Sequence, residues 1–471
     1  MVSRVDYARK KEHSMPTDAP NPDAIETELR QRQLPALAGR LPPGEFVVPD
    51  YDGLCLANIP ATVAALLGGE LPGACPPLRP DLWRGWADGV RRVIFLLVDA
   101  MGYLQLREAM ARGDVPAWNR LVERGAFFPI TTVFPSTTNA VLTTLWTGYS
   151  PAAHGLLAFE LYLREFGVAA SALFFWPVAC HQHDLLVEWG LKPEEFVPVP
   201  ALGETLTKQG IAVRTFTRKT YAESALSQMH RRGLEQIDGF VGASDLWVGL
   251  RRALGESQSG RLFISAYWDV VDGISHKYSP DDDSWATELR TIGYMLEEEF
   301  LRRLTPAERE GTLLIITADH GMVPTPPEVA VKLDDHPALR DALLIPPMGE
   351  SRAPFFYPHP DRRETLRDYL DGELGDAFVT LERNAVLESG LLGPGPIYSE
   401  TPYRLGDLVA LARGNHYLAK KEKSLEMLGR HGGMSPTEML VPLFIVRLDE
   451  FSRKVVVGGH YNEFRIKRMA G

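Results

Sequence analysis

Apolar positions in this chain fall into short unbroken runs separated by amphipathic stretches. Val93–Val98 (VIFLLV), Leu262–Tyr267 (LFISAY), Thr312–Thr317 (TLLIIT) and Met439–Val446 (MLVPLFIV) are nearly all apolar and six to eight residues long. Such runs predict strands buried on both faces of a parallel sheet, because a strand with one wet face would alternate. Ile211–Thr217 (IAVRTFT) is more amphipathic and predicts a strand nearer an edge. Between these runs, Pro60–Leu67, Glu204–Lys208, Tyr221–His230 and Trp285–Leu301 predict helices, the first bracketed by Asn58 as a cap and Gly68 as a stop. The alternation predicts a doubly wound α/β fold with a mostly parallel sheet.

Residues 326–423 break this rhythm with dense Pro and Gly, short strand-like pieces and one good helix near Arg362–Leu374. Because the segment lies between two core strands, it reads as an inserted α+β cap subdomain. The expected organisation is a flexible N-terminal arm (1–45), an α/β core (46–325 and 424–471) and the cap (326–423). Met15 is an alternative start within the arm. No run reaches the roughly 18 apolar residues of a membrane helix, and the charged N-terminus lacks the apolar stretch of a secretory signal. The expected location is therefore cytoplasmic, without a membrane partner.

Composition narrows the function. Of 471 residues, 45% are hydrophobic and 24% charged, as in an ordinary globular protein, and 50 basic against 61 acidic residues leave a formal charge of −11. That excess disfavours stable nucleic-acid binding, which needs clustered Lys and Arg. Three cysteines (Cys55, Cys75, Cys180) are too few and scattered for a disulfide framework. A homodimer stays open.

The chemistry sits where buried runs end. VIFLLV leads into Asp99, LFISAY into Asp269 and Asp272 with His276 four residues on, and TLLIIT into Asp319 and His320. In an open parallel sheet these ends share one edge, where ligands bind. Several carboxylates there would repel unless cations neutralise them. Carboxylate with imidazole suits Zn²⁺, with Mn²⁺ or Fe as alternatives. A Ser/Thr cluster, Ser136–Thr138, precedes an apolar helical stretch, Asn139–Trp146, closed by Gly148. These hydroxyls fit helix caps, but beside a metal edge they also fit a nucleophile at a helix N-terminus that favours an anion.

The order of Asp99, TTVFPSTTN…TGYSPAAHG, DGISH, TADHG and HGGMSP resembles the alkaline phosphatase superfamily, and within it the type I phosphodiesterase/nucleotide pyrophosphatase branch, which includes phosphonoacetate hydrolases. The resemblance implies an alkaline-phosphatase-like α/β core with a cap, two zinc ions and a Thr or Ser nucleophile. It places Thr138, ten residues before Gly148, as nucleophile, with Ser136 and Thr137 as neighbours in register. It assigns Asp99, Thr138, Asp319 and His320 to one metal and Asp272, His276 and His431 to the other. Asn139 is expected to hold a substrate oxygen; its place after Thr138 resembles the phosphonoacetate hydrolase pattern.

The implied function is hydrolysis of phosphodiester or pyrophosphate bonds in a small phosphoester or nucleotide, through a covalent phosphothreonine. The alternatives are a phosphonoacetate-hydrolase-like or phosphomonoesterase activity, and a non-catalytic metal-stabilised regulatory domain. No Lys or Arg occurs between Thr131 and Gly155 to meet a dianion, so a diester is expected unless Arg352 or Arg413 reaches in, or Asp269 holds a third ion. Two further patterns read as bystanders: Cys75-Pro-Pro-Leu-Arg79, which mimics a sulfatase signature out of place, and the loop Cys180–Asp184, read as a pocket wall.

Overall fold

The computed structural model describes residues 20–234, 237–256 and 260–449. Its central sheet has seven strands: β1 (Arg92–Val98), β2 (Ala126–Thr131), β3 (Ala212–Arg218), β4 (Ile237–Phe240), β5 (Leu262–Trp268), β6 (Thr312–Thr317) and β7 (Leu440–Arg447). Their spatial order is β2-β7-β6-β1-β5-β3-β4. The core pairs β1 with β5 and β6 in parallel, and β3 runs parallel to β5 and β4. Every residue of β1 and β6 is buried, as the unbroken apolar runs require. β3, expected nearer an edge, is the penultimate strand of the sheet; outside it lies only β4, whose sequence IDGF carries no strand pattern.

One strand is reversed. β7 pairs antiparallel with both β6 and β2. Its first residue therefore lies at the edge where the parallel strands end, and the segment feeding into it reaches that edge too. β2, antiparallel to β7, also delivers its C-terminal end there.

A second, antiparallel sheet covers this edge. It runs Phe378–Glu382, Leu408–Ala412, Pro354–Pro358, Leu343–Gly349, Glu160–Leu163, Val168–Ser171, Trp176–Pro177 in spatial order. The expected cap of 326–423 thus supplies only part of the sheet. A hairpin from 160–177 completes it through the pairing of Gly349 with Glu160. Such a pairing, between segments far apart in the chain, leaves no local signature. Where the chain leaves the core and returns, Val323–Pro324 pairs with Gly429–Arg430 as a short neck.

The N-terminal expectation also needs correction. Residues 1–19, with Met15, and the end of the core expectation, 450–471, lie outside the described residues. Residues 22–45, expected as part of the flexible arm, instead carry helix α1 (Pro22–Gln31), capped by Asn21, with Ile25 and Leu29 buried. Its apolar face is short, which hides it from a periodicity reading. No helix among the described residues is long and apolar enough to cross a membrane.

Candidate metal and nucleophile site

The segment after β2 turns through a cis Phe134–Pro135 bond and starts helix α2 (Thr138–Thr147), which Gly148 ends in the left-handed conformation. Of the three candidate hydroxyls, the Ser136 Oγ is occupied: it donates to Gly433 O (2.9 Å) and accepts from Gly432 N (3.1 Å). Thr137 Oγ1 stands 3.4 Å from Asn139 Oδ1. Thr138 Oγ1 lies 3.3 Å from His320 Nε2, at the positive end of the ten-residue helix. Asn139 lines the same cleft but is 1% exposed, and its Nδ2 donates to Ala158 O at 2.7 Å.

Two groups of ligating side chains meet at the strand ends. Asp99, Asp319 and His320 form a fully buried cluster; Asp272, His276 and His431 form a second, half-buried one. Asp99 follows β1 and Asp319–His320 follow β6. Asp272 and His276 lie one turn apart on helix α3 (Val270–Tyr278) after β5. His431 comes directly after the neck residue Arg430 and before the reversed β7.

The hydrogen bonds fix how these groups present themselves. The Nδ1 atoms of His320, His276 and His431 face the carbonyl oxygens of Gly321 (3.0 Å), Gly429 (2.8 Å) and Ser136 (2.9 Å). A carbonyl only accepts, so each Nδ1 carries a proton, and it is Nε2, the nitrogen left to offer a lone pair, that is turned toward the cluster. Facing those lone pairs are Asp99 Oδ1, Asp319 Oδ2 and Asp272 Oδ1, buried and without any hydrogen-bond partner. The separations are 3.5 Å and 3.3 Å from His320 Nε2 to Asp99 and Asp319, then 3.3 Å and 3.9 Å from His276 and His431 to Asp272. Lone pairs facing one another in a buried site repel.

Burial drives the His320 ring down to about 3 and holds His431 well below its usual range, so neither ring supplies a proton to relieve the conflict. Burial also pushes Asp99 well up, with Asp319 and Asp272 adding repulsion, and lifts Asp272 to about 6. A cation between the lone pairs resolves the arrangement. Ligands on tetrahedral Zn²⁺ stand about 3.3 Å apart, given bonds of about 2.0–2.1 Å, and His320 Nε2 stands 3.5, 3.3 and 3.3 Å from Asp99, Asp319 and Thr138. The residues therefore fit a divalent ion in each cluster, with four donors in the first and three, leaving an open position, in the second.

The remaining oxygens are held by the fold. Asp319 Oδ1 accepts from the backbone N–H groups of Ala100 (3.0 Å) and His320 (2.9 Å). Asp99 Oδ2 accepts from the Tyr267 hydroxyl, a contact the sequence reading missed because Tyr267 lay inside an apolar run.

Other expectations change. Arg352 is fully buried and spent on Glu438 and on the carbonyls of His416 and Gly414. Arg413 pairs with Glu45, and Asp269 is bonded to Arg218 and Tyr221, so neither a cationic arm nor a third-ion ligand comes from these residues. Cys75 lies beside Gly148, at the far end of α2 and about 15 Å of helix away from Thr138. Its thiol is pushed up to about 12 by burial, unsuited to a nucleophile. His181 and His183 pack edge-on against Trp176, as a wall rather than a ligand set. The cleft above Thr138 is lined by Phe159, Glu160, Glu350, Lys420, Met427 and second-cluster residues. Glu160 lies in the second sheet, Glu350 directly follows its strand Leu343–Gly349, and Lys420 follows the short strand Tyr417–Ala419; none of the three had a motif to reveal it.

The family model described as type I phosphodiesterase / nucleotide pyrophosphatase matches residues 93–434. No curated protein sequence shows significant similarity. Among solved structures, the chain resembles an inactive variant of murine ectonucleotide pyrophosphatase/phosphodiesterase 5 in complex with AMP, at 17% identity and a TM-score of 0.58, covering 75% of this chain and 87% of that one. The human protein of the same name gives 18% identity and a TM-score of 0.58, with 75% and 86% covered. Phosphonoacetate hydrolase from Sinorhizobium meliloti in complex with phosphonoformate gives 21% identity and a TM-score of 0.55, with 75% and 89% covered. At these identities the likeness is one of fold.

Proposed function

The chain belongs to the type I phosphodiesterase / nucleotide pyrophosphatase family and is thus a phosphoester hydrolase; we propose that it cleaves phosphodiester or pyrophosphate bonds of small, nucleotide-like substrates through a phosphothreonine on Thr138. The observation that carries this reading is the facing of unpartnered carboxylate oxygens and imidazole lone pairs, with the Thr138 hydroxyl on their border. Asp99, Asp319, His320 and Thr138 would hold one divalent ion, and Asp272, His276 and His431 the other, with Zn²⁺ favoured by the donor set. When bound, two such ions supply Lewis acidity and four positive charges, which three carboxylates and a Thr138 alkoxide balance.

Thr138 Oγ1 attacks phosphorus and the bond to the leaving group breaks opposite it; water then releases the phosphoryl group from Thr138. The first backbone N–H groups of α2 have no partner within the helix and are aimed at the oxyanion. They serve better than Asn139, whose amide is already engaged with Ala158. With the ligands' charge balanced and Arg352 and Arg413 spent elsewhere, a monoanionic diester fits better than a dianionic monoester.

The test is to strip the protein with a chelator, restore Zn²⁺ or Mn²⁺, and compare bis(p-nitrophenyl) phosphate with p-nitrophenyl phosphate. Activity should vanish on stripping and return with metal, and kcat/KM should be higher for the diester. Full activity without metal would defeat the two-metal reading. A tenfold monoester preference, about 1.4 kcal/mol, would defeat the diester assignment alone.

Tyr267 gives a second check on the ligand set. Tyr267→Phe keeps the ring and removes only the bond to Asp99. Metal affinity at one of two sites, measured by competition with a chromophoric chelator, should fall about 10- to 100-fold. Two unchanged affinities would mean that the hydroxyl does not orient Asp99 for an ion.

A further inference from the structure

Helix α2 packs on one face of the central sheet, where the Trp146 and Phe263 rings stand 6.4 Å apart. On that face Phe95 of β1, Ser265 of β5, Thr215 of β3 and Ile237 of β4 lie in register across four strands. Two residues further along their strands, and so on the same face, come Leu97, Tyr267 and Thr217. Four neighbouring hydroxyl side chains are out of place there, because the covered face of a parallel sheet is ordinarily apolar. Tyr267 is accounted for by Asp99. The hydroxyls of Ser265, Thr215 and Thr217 bond to no other described residue.

These groups open into a cavity whose opposite wall is apolar, built by Leu142, Leu145 and Trp146 of α2 with Pro60 and Val63. Thr215 and Ser265 keep 8% and 7% of their surface accessible beneath the helices, which close packing would remove. His230, also 7% exposed, lines the cavity from the helix Ala225–His230. Its Nε2 lies 3.0 Å from Thr143 Oγ1, which gives its own proton to Asn139 O at 2.7 Å. Nε2 is therefore the donor of that pair. Burial drives the ring down to about 3, so it is neutral, and Nδ1 is left as an acceptor without a described partner. Arg231, the one charged side chain on the lining among the described residues, pairs with Glu223 at 3.5 Å. The cavity shares no lining residue with the cleft above Thr138.

We propose that this cavity is a second binding site, for a neutral amphipathic molecule: an apolar ring or chain that carries a hydroxyl group. The hydroxyl meets the unpartnered groups of Thr215, Ser265 and His230, and the apolar body lies against Leu142, Leu145 and Trp146. A charged occupant is disfavoured, since no free opposite charge lines the cavity to offset its desolvation. Water alone would satisfy the hydroxyls but leave the α2 wall wet, a cost that an apolar body on the same hydroxyl removes. The site does not rest on the hydrolase reading, although its occupant lies between the helix that starts at Thr138 and the tyrosine that holds Asp99.

The experiment titrates the full chain with 4-methylphenol and with toluene, two molecules that differ by one hydroxyl, and follows binding by calorimetry. 4-Methylphenol should bind about tenfold more tightly, the factor a hydrogen bond to a buried group is worth. Apolar burial alone ranks the pair the other way, because a hydroxyl is costly to desolvate. In a Thr215→Val, Ser265→Ala double variant, close in volume to wild type, the 4-methylphenol Kd should rise about fivefold or more while the toluene Kd stays within about twofold. Ser227→Phe puts a ring into the cavity from a half-buried lining position and should abolish binding of both. No saturable binding to wild type, toluene binding as tightly as 4-methylphenol, or an unchanged 4-methylphenol Kd in the double variant would overturn the proposal. Thermal melting is recorded for each protein. Should the double variant melt early, Ser227→Phe decides alone: lost binding supports the site, and retained binding places the ligand elsewhere and refutes it.

Discussion

Replacing Thr138 by Ala should lower kcat on phosphodiesters by about 10⁴-fold or more, the scale expected when a covalent nucleophile is removed and only assisted attack by water remains. Thr138 is half-buried and its neighbours pack independently of its hydroxyl, so folding and binding at the second cluster should persist. Thr138→Ser, which keeps an oxygen at the helix start, should retain much more activity. Acid quenching during turnover of a phosphorus-labelled substrate should leave label on the wild-type chain and none on Thr138→Ala. A Thr138→Ala enzyme within tenfold of wild type would exclude this residue as the nucleophile. Thr137→Ala is the control, since that hydroxyl reaches Asn139 and Glu350 rather than the first cluster.

The second large effect is on stability. Arg352, in the cap, and Glu438, just before β7, form a buried pair whose side chains are both 0% exposed. Arg352 Nε and Nη2 donate to the two Glu438 oxygens at 2.7 and 2.9 Å. Glu438 also accepts from Gly433 N (2.8 Å) and Ser435 Oγ (2.6 Å), in the loop that carries His431. Despite burial, Arg352 and these donors hold the Glu438 carboxyl below its usual range. Glu438→Gln leaves a buried guanidinium uncompensated and should cost about 3–5 kcal/mol. Pairing it with Arg352→Met should recover most of the loss, because the orphaned charge goes too. Denaturant titrations of the three proteins measure this. A single-variant cost below about 1 kcal/mol would mean the pair behaves as a solvated one. His431 should also shift with its loop, so the weakened variant should bind metal less tightly at the second cluster.

How much of this was legible beforehand depends on whether a feature is local. Val93–Val98, Leu262–Tyr267 and Thr312–Thr317 announced themselves because a strand buried on both faces can hold little but apolar side chains. Each runs into a carboxylate within two residues or so, so Asp99 and Asp319 were findable from strand ends alone. His276 followed from Asp272 by one helical turn. His431 had no such anchor. It reaches the edge because β7 is reversed, and strand direction is a property of pairing, not of the run MLVPLFIV. Sequence order placed it only through resemblance.

The sequence by itself determined the α/β core, the strand ends that carry most of the acidic and imidazole groups, and the helix that begins at Thr138, since each follows from a short-range pattern of burial or capping. Only the tertiary structure decided which hydroxyl of Ser136–Thr138 faces the clusters, because three adjacent residues differ in direction rather than in kind. It decided as well that Arg352 clasps Glu438 instead of reaching the substrate, that Tyr267 holds Asp99, and that Glu350 enters the cleft. Each of these depends on what lies across a gap of many residues, and a chain's local pattern encodes whether a side chain is buried but not what it is buried against.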